Sequence, residues 1–250
     1  MTTISRAHSF NAAAAAYAAN RPSYPPALLD AVEELAGRPL AGARVADVGA
    51  GTGIATALLH ERGARIVAVE PGDGMTEQFR RTLPGVPIVR GDGNNLPLAD
   101  ASADFITYAQ AWHWTDPARS APEAMRVLRP GGALALWWNV SDHGVEWIAD
   151  QGARIQSFFG SSDIVLGAHG TAERTLETGG LGFTDRTVPW TREVSLDTHL
   201  ANLASHSVFL VAGEEATREF VDQERAVLSE IFPGGVVREA YLVDLCVATR

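Results

Sequence analysis

The stretch Arg44-Val-Ala-Asp-Val-Gly-Ala-Gly-Thr-Gly53 predicts a strand, a tight turn and the start of a helix. The β-branched residues before the glycines favour a buried strand, and residues 54–62 have the pattern of a helix. Gly49, Gly51 and Gly53 stand at alternate positions between them. Glycines let a backbone lie directly against a ligand, and the N-terminus of a helix directs unpaired N–H groups to the same place. The stretch therefore predicts a ligand-binding turn.

The spacing of the glycines separates the classes of nucleotide ligand. A dinucleotide fingerprint has its third glycine three residues after the second, and that position is Ile54 here. A phosphate loop ends in Gly-Lys-Ser/Thr, and this chain contains no lysine. The turn therefore disfavours a nicotinamide oxidoreductase, which stays as a weaker alternative, and a nucleoside triphosphatase.

Carboxylates follow the next two predicted strands. The run 66–69 ends at Glu70, which could accept hydrogen bonds from both hydroxyls of a ribose. The run 86–89 leads to Asp92 and Gly93, where a carboxylate is well placed to accept from an adenine amine. With Asp47, these residues predict a cradle for an adenosine that carries no phosphate. The alternatives are a helix cap at Asp47, a solvated strand end at Glu70 and a plain turn at Asp92.

Five segments in register resemble the successive motifs of class I S-adenosylmethionine-dependent methyltransferases. The resemblance is to the small-molecule group (methyltransferase type 11) that includes trans-aconitate methyltransferases and the ubiquinone/menaquinone C-methyltransferases. It covers roughly residues 40–140, and the segment 141–198, where such enzymes carry substrate specificity, lies outside it. The segments are Asp47–Gly53, Val67–Pro71, Gly91-Asp92, Asn95–Pro97 and Arg126–Gly132.

The resemblance implies S-adenosyl-L-methionine as the cofactor, and the single Cys246 supplies no metal cluster, so no metal site is expected. It implies a doubly wound, mostly parallel seven-stranded α/β sheet of the Rossmann-like type with a helical lid. In this group a tyrosine and an arginine four residues apart close over the methionine part of the cofactor, and an arginine pairs with its carboxylate. Tyr17 and Arg21 match that pattern, although a surface pair is the alternative. The cofactor-binding residues implied in this way are Tyr17, Arg21, Asp47, Gly49, Gly51, Gly53, Glu70, Asp92, Gly93 and Gln110.

Candidate acceptor residues follow the fourth predicted strand. His113 could act as a general base, because imidazoles titrate near neutral pH. Trp112 and Trp114 could wall the site, since aromatic faces suit a sulfonium cation and a planar substrate. Ser205 and His206 could reach the substrate from the predicted lid. Core packing of the aromatic residues and a solvated surface at 205–206 are the alternatives.

Composition limits the partners. The formal charge is −10, and no stretch concentrates arginine, which disfavours a nucleic-acid substrate. The single Cys246 excludes an internal disulfide and favours a reducing compartment. The alanine run 12–16 favours a helix over a signal peptide, and no run reaches the length of a membrane span. We therefore expect a cytoplasmic monomer or homodimer that acts on a small molecule.

Alternating strands and helices predict one domain over residues 1–250. Within it, residues 40–140 form the cofactor-binding core, 1–26 an N-terminal lid segment, and 141–182 and 196–213 substrate lid segments. Helices are expected over 27–35, 75–82, 122–128 and 214–232, with a turn over 129–132. Strands are expected over 105–108, 133–138, 183–194 and 241–248.

The predicted function is transfer of a methyl group to a carboxylate or hydroxyl oxygen of a small organic acceptor. Methylation of carbon or nitrogen in a secondary metabolite is the near alternative. A protein that binds the cofactor without transferring its methyl group is the third.

Overall fold

The computed structural model describes residues 20–160 and 181–250 of the chain. Seven strands form one sheet: β1 (Arg44–Val48), β2 (Arg65–Glu70), β3 (Ile88–Arg90), β4 (Ala103–Ala109), β5 (Leu128–Ser141), β6 (Thr184–Ser195) and β7 (Val236–Thr249). The helices within the described ranges are α1 (Pro26–Ala36), α2 (Ile54–Glu61), α3 (Asp73–Thr82), α4 (Pro117–Val127), α5 (Glu146–Phe159), α6 (Leu196–Ala204), α7 (Ser207–Ala212) and α8 (Glu214–Ile231).

The strand order is β3-β2-β1-β4-β5-β7-β6, and the pairs among the first five strands in that order are parallel. β7 runs antiparallel to β5, because Gly131 bonds to Arg250 while Asp142 bonds to Ala240. The order reverses direction between β1 and β4, and ligands bind at such a reversal beyond the carboxyl ends of the strands. The predicted doubly wound, mostly parallel sheet is confirmed.

Three predicted boundaries were wrong, and one of them is the start of β7, which lies at Val236 and not at residue 241. Helix α4 begins at Pro117, five residues before the predicted start, because Asp116 caps it with a hydrogen bond to the Ala118 N–H and Pro117 occupies the first turn. Residues 129–132, predicted as a turn, belong to β5. Gly131 there has a φ of 75°, and its N–H donates to the carbonyl of Arg250, so the irregular backbone stays paired in the sheet.

The described residues divide into two compact units. The glycine-turn unit comprises residues 23–138, 181–188 and 243–250, and the second unit comprises 20–22, 139–160 and 189–242. Among the helices of the described ranges, none has the length and hydropathy needed to cross a membrane.

The glycine-turn unit is centred on β4, in which Phe105, Ile106 and Tyr108 are fully buried. Cys246 of β7 belongs to this unit and is only 1% exposed. The second unit has its own apolar clusters. In one of them, Ile155 packs with Phe209 and Phe220.

Candidate functional site

The turn after β1 keeps an open face at its middle residue. Gly51 has a φ of 58°, and no described atom lies within 4 Å of the position its Cβ would take. At Gly49, by contrast, a Cβ would come within 2.5 Å of the Ala111 side chain. Gly49 is therefore required by the protein's own packing, whereas Gly51 leaves space in front of the turn.

Glu70 holds the glycine turn through its carboxylate. Its Oε2 accepts a hydrogen bond from the Gly51 N–H at 2.9 Å, and its Oε1 accepts one from the Gly72 N–H at 2.8 Å. Burial raises the pKa of Glu70, and these two N–H donors oppose the rise. A carboxylate has about four lone-pair sites, so two acceptor positions remain beyond these bonds. The predicted ribose contact of Glu70 stays a prediction.

Asp47 lies beneath the same turn and is completely buried. Its carboxylate accepts hydrogen bonds from the hydroxyls of Thr56 at 2.5 Å and Thr107 at 2.7 Å. Burial raises the pKa of Asp47 to about 6, although both hydroxyls act in the opposite direction. Asp47 thus joins β1 to α2 and β4, and its predicted cofactor contact stays a prediction.

The loop after β3 forms a turn that is held by a hydrogen bond within the loop itself. The exposed Asp92 accepts a hydrogen bond from the Asn94 N–H at 2.7 Å, which is the geometry of an Asx turn. A Cβ on Gly93 would come within 2.8 Å of the Tyr108 hydroxyl. The hydrogen bond within the turn matches the plain-turn alternative for Asp92, and the predicted cofactor contact of Asp92 and Gly93 stays a prediction.

The segment after β4 begins with an unusual backbone. Gln110 has a φ of 56°, a conformation that costs energy for any residue but glycine, and its N–H donates to the Trp137 carbonyl at 2.9 Å. Such strained residues concentrate at functional sites. The strain turns the chain sharply into the short 3₁₀ helix over Trp112–Trp114.

The three aromatic residues of that helix differ in exposure. Trp112 is 2% exposed and packs edge-on against Tyr108 at 4.8 Å, which favours the core-packing alternative for this residue. His113 is exposed, and its ring lies 4.6 Å from that of the half-buried Trp114. The indole N–H of Trp138 donates to His113 Nδ1 at 3.2 Å. His113 is therefore the accessible polar group of this segment, with Trp114 beside it.

In the second unit, the structure brings together three of the predicted site residues. Arg21 donates to the Ser205 carbonyl and to His206 Nε2, both at 3.2 Å. Burial lowers the pKa of His206 well below its ordinary value, and the charge of Arg21 adds to the effect. His206 is therefore neutral and accepts from Arg21 through Nε2. Tyr17, predicted to act with Arg21, lies outside the described residues.

A buried polar network in the second unit was missed by the sequence prediction. His199 Nδ1 lies 2.6 Å from one oxygen of Glu239, whose other oxygen pairs with Arg192 at 2.5 Å. The side-chain amide of Gln151 lies 2.9 Å from His199 Nε2. No local motif marks these residues, because forty positions or more separate most of them along the chain. Nowhere in the described part of the chain do three His, Cys, Asp or Glu side chains form a group that could hold a metal ion.

Comparison with known proteins identifies the chain. Residues 46–136 match the methyltransferase domain family. An uncharacterized methyltransferase of Mycobacterium tuberculosis is 37% identical over 224 residues, which are 88% of this chain and 86% of that protein. The chain belongs to the class I S-adenosylmethionine-dependent methyltransferases. A solved structure from Anaeromyxobacter dehalogenans, assigned to the type II methyltransferases, has a TM-score of 0.69 and 25% identity, covering 92% of this chain and 97% of that one.

A further relative of this methyltransferase matches a shorter stretch of it. The demethylmenaquinone methyltransferase of Clavibacter sepedonicus is 38% identical over 102 residues, 39% of this chain and 42% of that protein.

Proposed function

We propose that this methyltransferase binds S-adenosylmethionine at the glycine turn and methylates a carboxylate oxygen of a small organic acid. The bound cofactor would supply an activated methyl group on a positively charged sulfur. The single observation that carries the acceptor half of the proposal is the hydrogen bond between Trp138 and His113.

The residues of the turn fit an adenosine. The open space at Gly51 lets the backbone approach a ligand, which a side chain there would prevent. The Glu70 carboxylate, already fixed by two backbone N–H groups, has acceptor positions left for ribose hydroxyls. Asp47, tied to Thr56 and Thr107, keeps the strand end and helix start rigid behind the ligand.

The hydrogen bond from Trp138 supports one particular role for His113. An indole nitrogen is only a donor, so Nδ1 of His113 must be the acceptor. The neutral ring then carries its proton on Nε2, which makes Nε2 a donor and leaves it no lone pair with which to take a proton. His113 therefore acts by donating a hydrogen bond to the acceptor molecule and not as a general base.

A hydrogen-bond donor suits a carboxylate acceptor better than a hydroxyl. A carboxylate is ionised near neutral pH and needs no base before it attacks a sulfonium methyl group. A hydroxyl would require a base, which this tautomer of His113 does not provide. The partial match to a demethylmenaquinone methyltransferase favours methylation of a ring carbon as the second candidate, although it covers only 39% of this chain.

Two substitutions of His113 distinguish a role as a hydrogen-bond donor from a role as a general base. In His113→Gln the amide still donates a hydrogen bond but cannot accept a proton, whereas His113→Ala does neither. With small carboxylic acids screened for methyl ester formation by mass spectrometry, we expect His113→Ala to lower kcat/KM by roughly ten- to a hundredfold. That range corresponds to a lost hydrogen bond to a charged group of about 1.5–3 kcal/mol. His113→Gln should keep most of the activity.

The exposed His143 of the second unit provides a matched control, and His143→Ala should leave kcat/KM unchanged. If His113→Gln is as inactive as His113→Ala, the ring acts as a base and the carboxylate proposal is wrong. Formation of a C-methylated ring product with no ester would favour the second candidate. Cofactor binding without any methylated product would contradict both.

A further inference from the structure

A cavity in the glycine-turn unit lies at the opposite edge of the sheet from the glycine turn. It has a volume of about 670 Å³, within the usual range for small-molecule sites. Its lining includes residues at the amino ends of β1, β2 and β4, whereas the glycine turn follows the carboxyl end of β1. The strand β1 separates the two places by roughly 13 Å, at about 3.3 Å per residue. The cavity is therefore distinct from the proposed cofactor site.

The polar lining of this cavity is basic. Arg44, Arg65 and His60 line it, and none of its lining residues is an aspartate or glutamate. The remaining surface is mainly apolar and includes Val45 and Ile66. In a chain with a formal charge of −10, a cavity lined by two arginines, a histidine and Ser102, with no carboxylate, is a local exception.

The two arginines are direct neighbours in the sheet. Arg44 of β1 is the register partner of Arg65 in the parallel strand β2. Aligned residues of neighbouring strands project to the same face, so the two positive charges repel each other. Arg65 is exposed, and its side chain makes no hydrogen bond or ion pair within the part of the chain that the structure describes. The protein thus keeps an unfavourable pair of like charges beside a cavity.

The nearby carboxylate does not neutralise the pair. Asp104 lies 3.7 Å from Arg44 Nε, but it also pairs with Arg38 and Arg129. One carboxylate therefore serves three guanidinium groups. In addition, Nη2 of Arg44 is buried and has no hydrogen-bond partner among the described residues. A buried donor without a partner is unfavourable, so the Arg44 guanidinium is not fully satisfied by the described residues.

We propose that this cavity, which we call the arginine cavity, binds a small molecule that carries an oxyanion on an apolar body. The oxyanion, a carboxylate or a phosphate, lies between Arg44 and Arg65, because guanidinium groups match both in bidentate geometry. His60 lies at the same cavity and adds a third donor. The apolar body packs against the aliphatic lining. This ligand is neither the methyl donor nor the acceptor, since it lies at the other edge of the sheet.

The test is isothermal titration calorimetry of the full-length protein with two probes, benzoate and inorganic phosphate, at constant ionic strength. Benzoate represents a carboxylate with an apolar body, and phosphate represents the oxyanion alone. We expect saturable binding of benzoate and an affinity that falls at least tenfold in Arg65→Gln. The affinity should fall less in Arg65→Lys, which keeps the positive charge but loses the bidentate geometry of the guanidinium group. Arg65→Gln removes no side-chain hydrogen bond or ion pair with the described residues, so the variant should fold.

Arg80→Gln is the matched control, because Arg80 is also an exposed arginine without an ion pair among the described residues and does not line the cavity. It changes the net charge equally and should leave both affinities unchanged. Equal weakening by Arg65→Gln and Arg80→Gln would mean general electrostatic attraction and would overturn the proposal. So would the absence of saturable binding of either probe. If phosphate binds more tightly than benzoate, saturably and in dependence on Arg65, the natural ligand carries a phosphate. If benzoate binds more tightly, the natural ligand carries a carboxylate.

Discussion

At the scale of single residues, Gly51 and Glu70 carry the interpretation of the glycine turn. Glu70 binds the Gly51 N–H, so the carboxylate and the open face of the turn are parts of one arrangement. A side chain at Gly51 would enter the space in front of that arrangement. The proposed site therefore depends on the absence of a side chain at Gly51 as much as on the carboxylate of Glu70.

Gly37 offers a matched comparison for a substitution of Gly51. Both glycines have a left-handed backbone, with φ values of 63° and 58°, and neither Cβ position has a described atom within 4 Å. Gly37→Val and Gly51→Val should therefore lose similar stability from backbone strain, about 1–3 kcal/mol by thermal unfolding. Only Gly51→Val should abolish binding of S-adenosylhomocysteine in calorimetry. Normal binding by Gly51→Val would show that the turn does not contact the cofactor.

At the scale of secondary structure elements, Asp47 joins three of them. The carboxylate at the end of β1 accepts from Thr56 of α2 and Thr107 of β4. Because burial raises its pKa to about 6, folding disfavours its charged form. The folded state thus binds more protons than the unfolded state between about pH 4 and pH 6, and stability falls as the pH rises through that window.

Asp47→Asn tests this linkage. The amide keeps an acceptor for one threonine and offers a donor to the other, without a titrating charge. The wild type loses stability as Asp47 ionises, and the variant does not. The difference in the free energy of unfolding should therefore shift in favour of the variant by about 3 kcal/mol from about pH 4 to about pH 7, because two pKa units correspond to that free energy. Urea unfolding at both pH values measures the difference, with the exposed Asp222→Asn as the control for net charge. A difference that does not change with pH would contradict a raised pKa for Asp47.

The elements show where prediction from sequence succeeds. The strand, turn and helix over residues 44–61 were predicted within one residue, because β-branched residues, alternating glycines and a helical pattern all indicate the same structure. The start of α4 was predicted wrongly, since Pro122 was interpreted as the beginning of the helix although Asp116 caps it. A proline within a helix gives the same local signal as a proline at its start.

The site was only partly predictable for a different reason. Glu70 and His113 follow strand ends, and the positions of strands are visible in the sequence. Thr107, the partner of Asp47, lies sixty residues away and carries no local signal. The tautomer of His113 depends on Trp138, which a sequence does not place beside it. Contacts between distant positions require the fold itself.

At the scale of the whole molecule, one buried carboxyl group in each unit has its pKa shifted, and the two shifts are in opposite directions. In the second unit, burial raises the pKa of Glu239, but hydrogen bonds from His199 and Arg192 and their charges outweigh it, so the pKa lies below its ordinary value. A lowered pKa gives stability that is present above the unfolded pKa and is lost as the pH falls through the folded pKa. Asp47 contributes the reverse dependence in the glycine-turn unit.

Glu239→Gln should therefore destabilise the second unit near neutral pH, by about 3–5 kcal/mol, because it leaves Arg192 without its buried partner. The loss should shrink in acid, where the wild-type carboxylate is itself protonated. Hydrogen exchange by mass spectrometry, with peptides assigned to each unit, measures the effect where it arises. A loss of equal size at about pH 3 and pH 7 would assign the role of Glu239 to packing and not to charge.

The position of Cys246 gives this molecule a built-in reporter. The thiol is the only one in the chain and is 1% exposed within β7, so an alkylating reagent reaches it only after the strand opens. When opening and closing are fast relative to modification, the labelling rate is proportional to the population of the open form. Cys246 lies in the glycine-turn unit, so its labelling reports on the opening of that unit and of its sheet. Any ligand that tightens the glycine turn will slow the loss of a single thiol, without a probe being added to the protein.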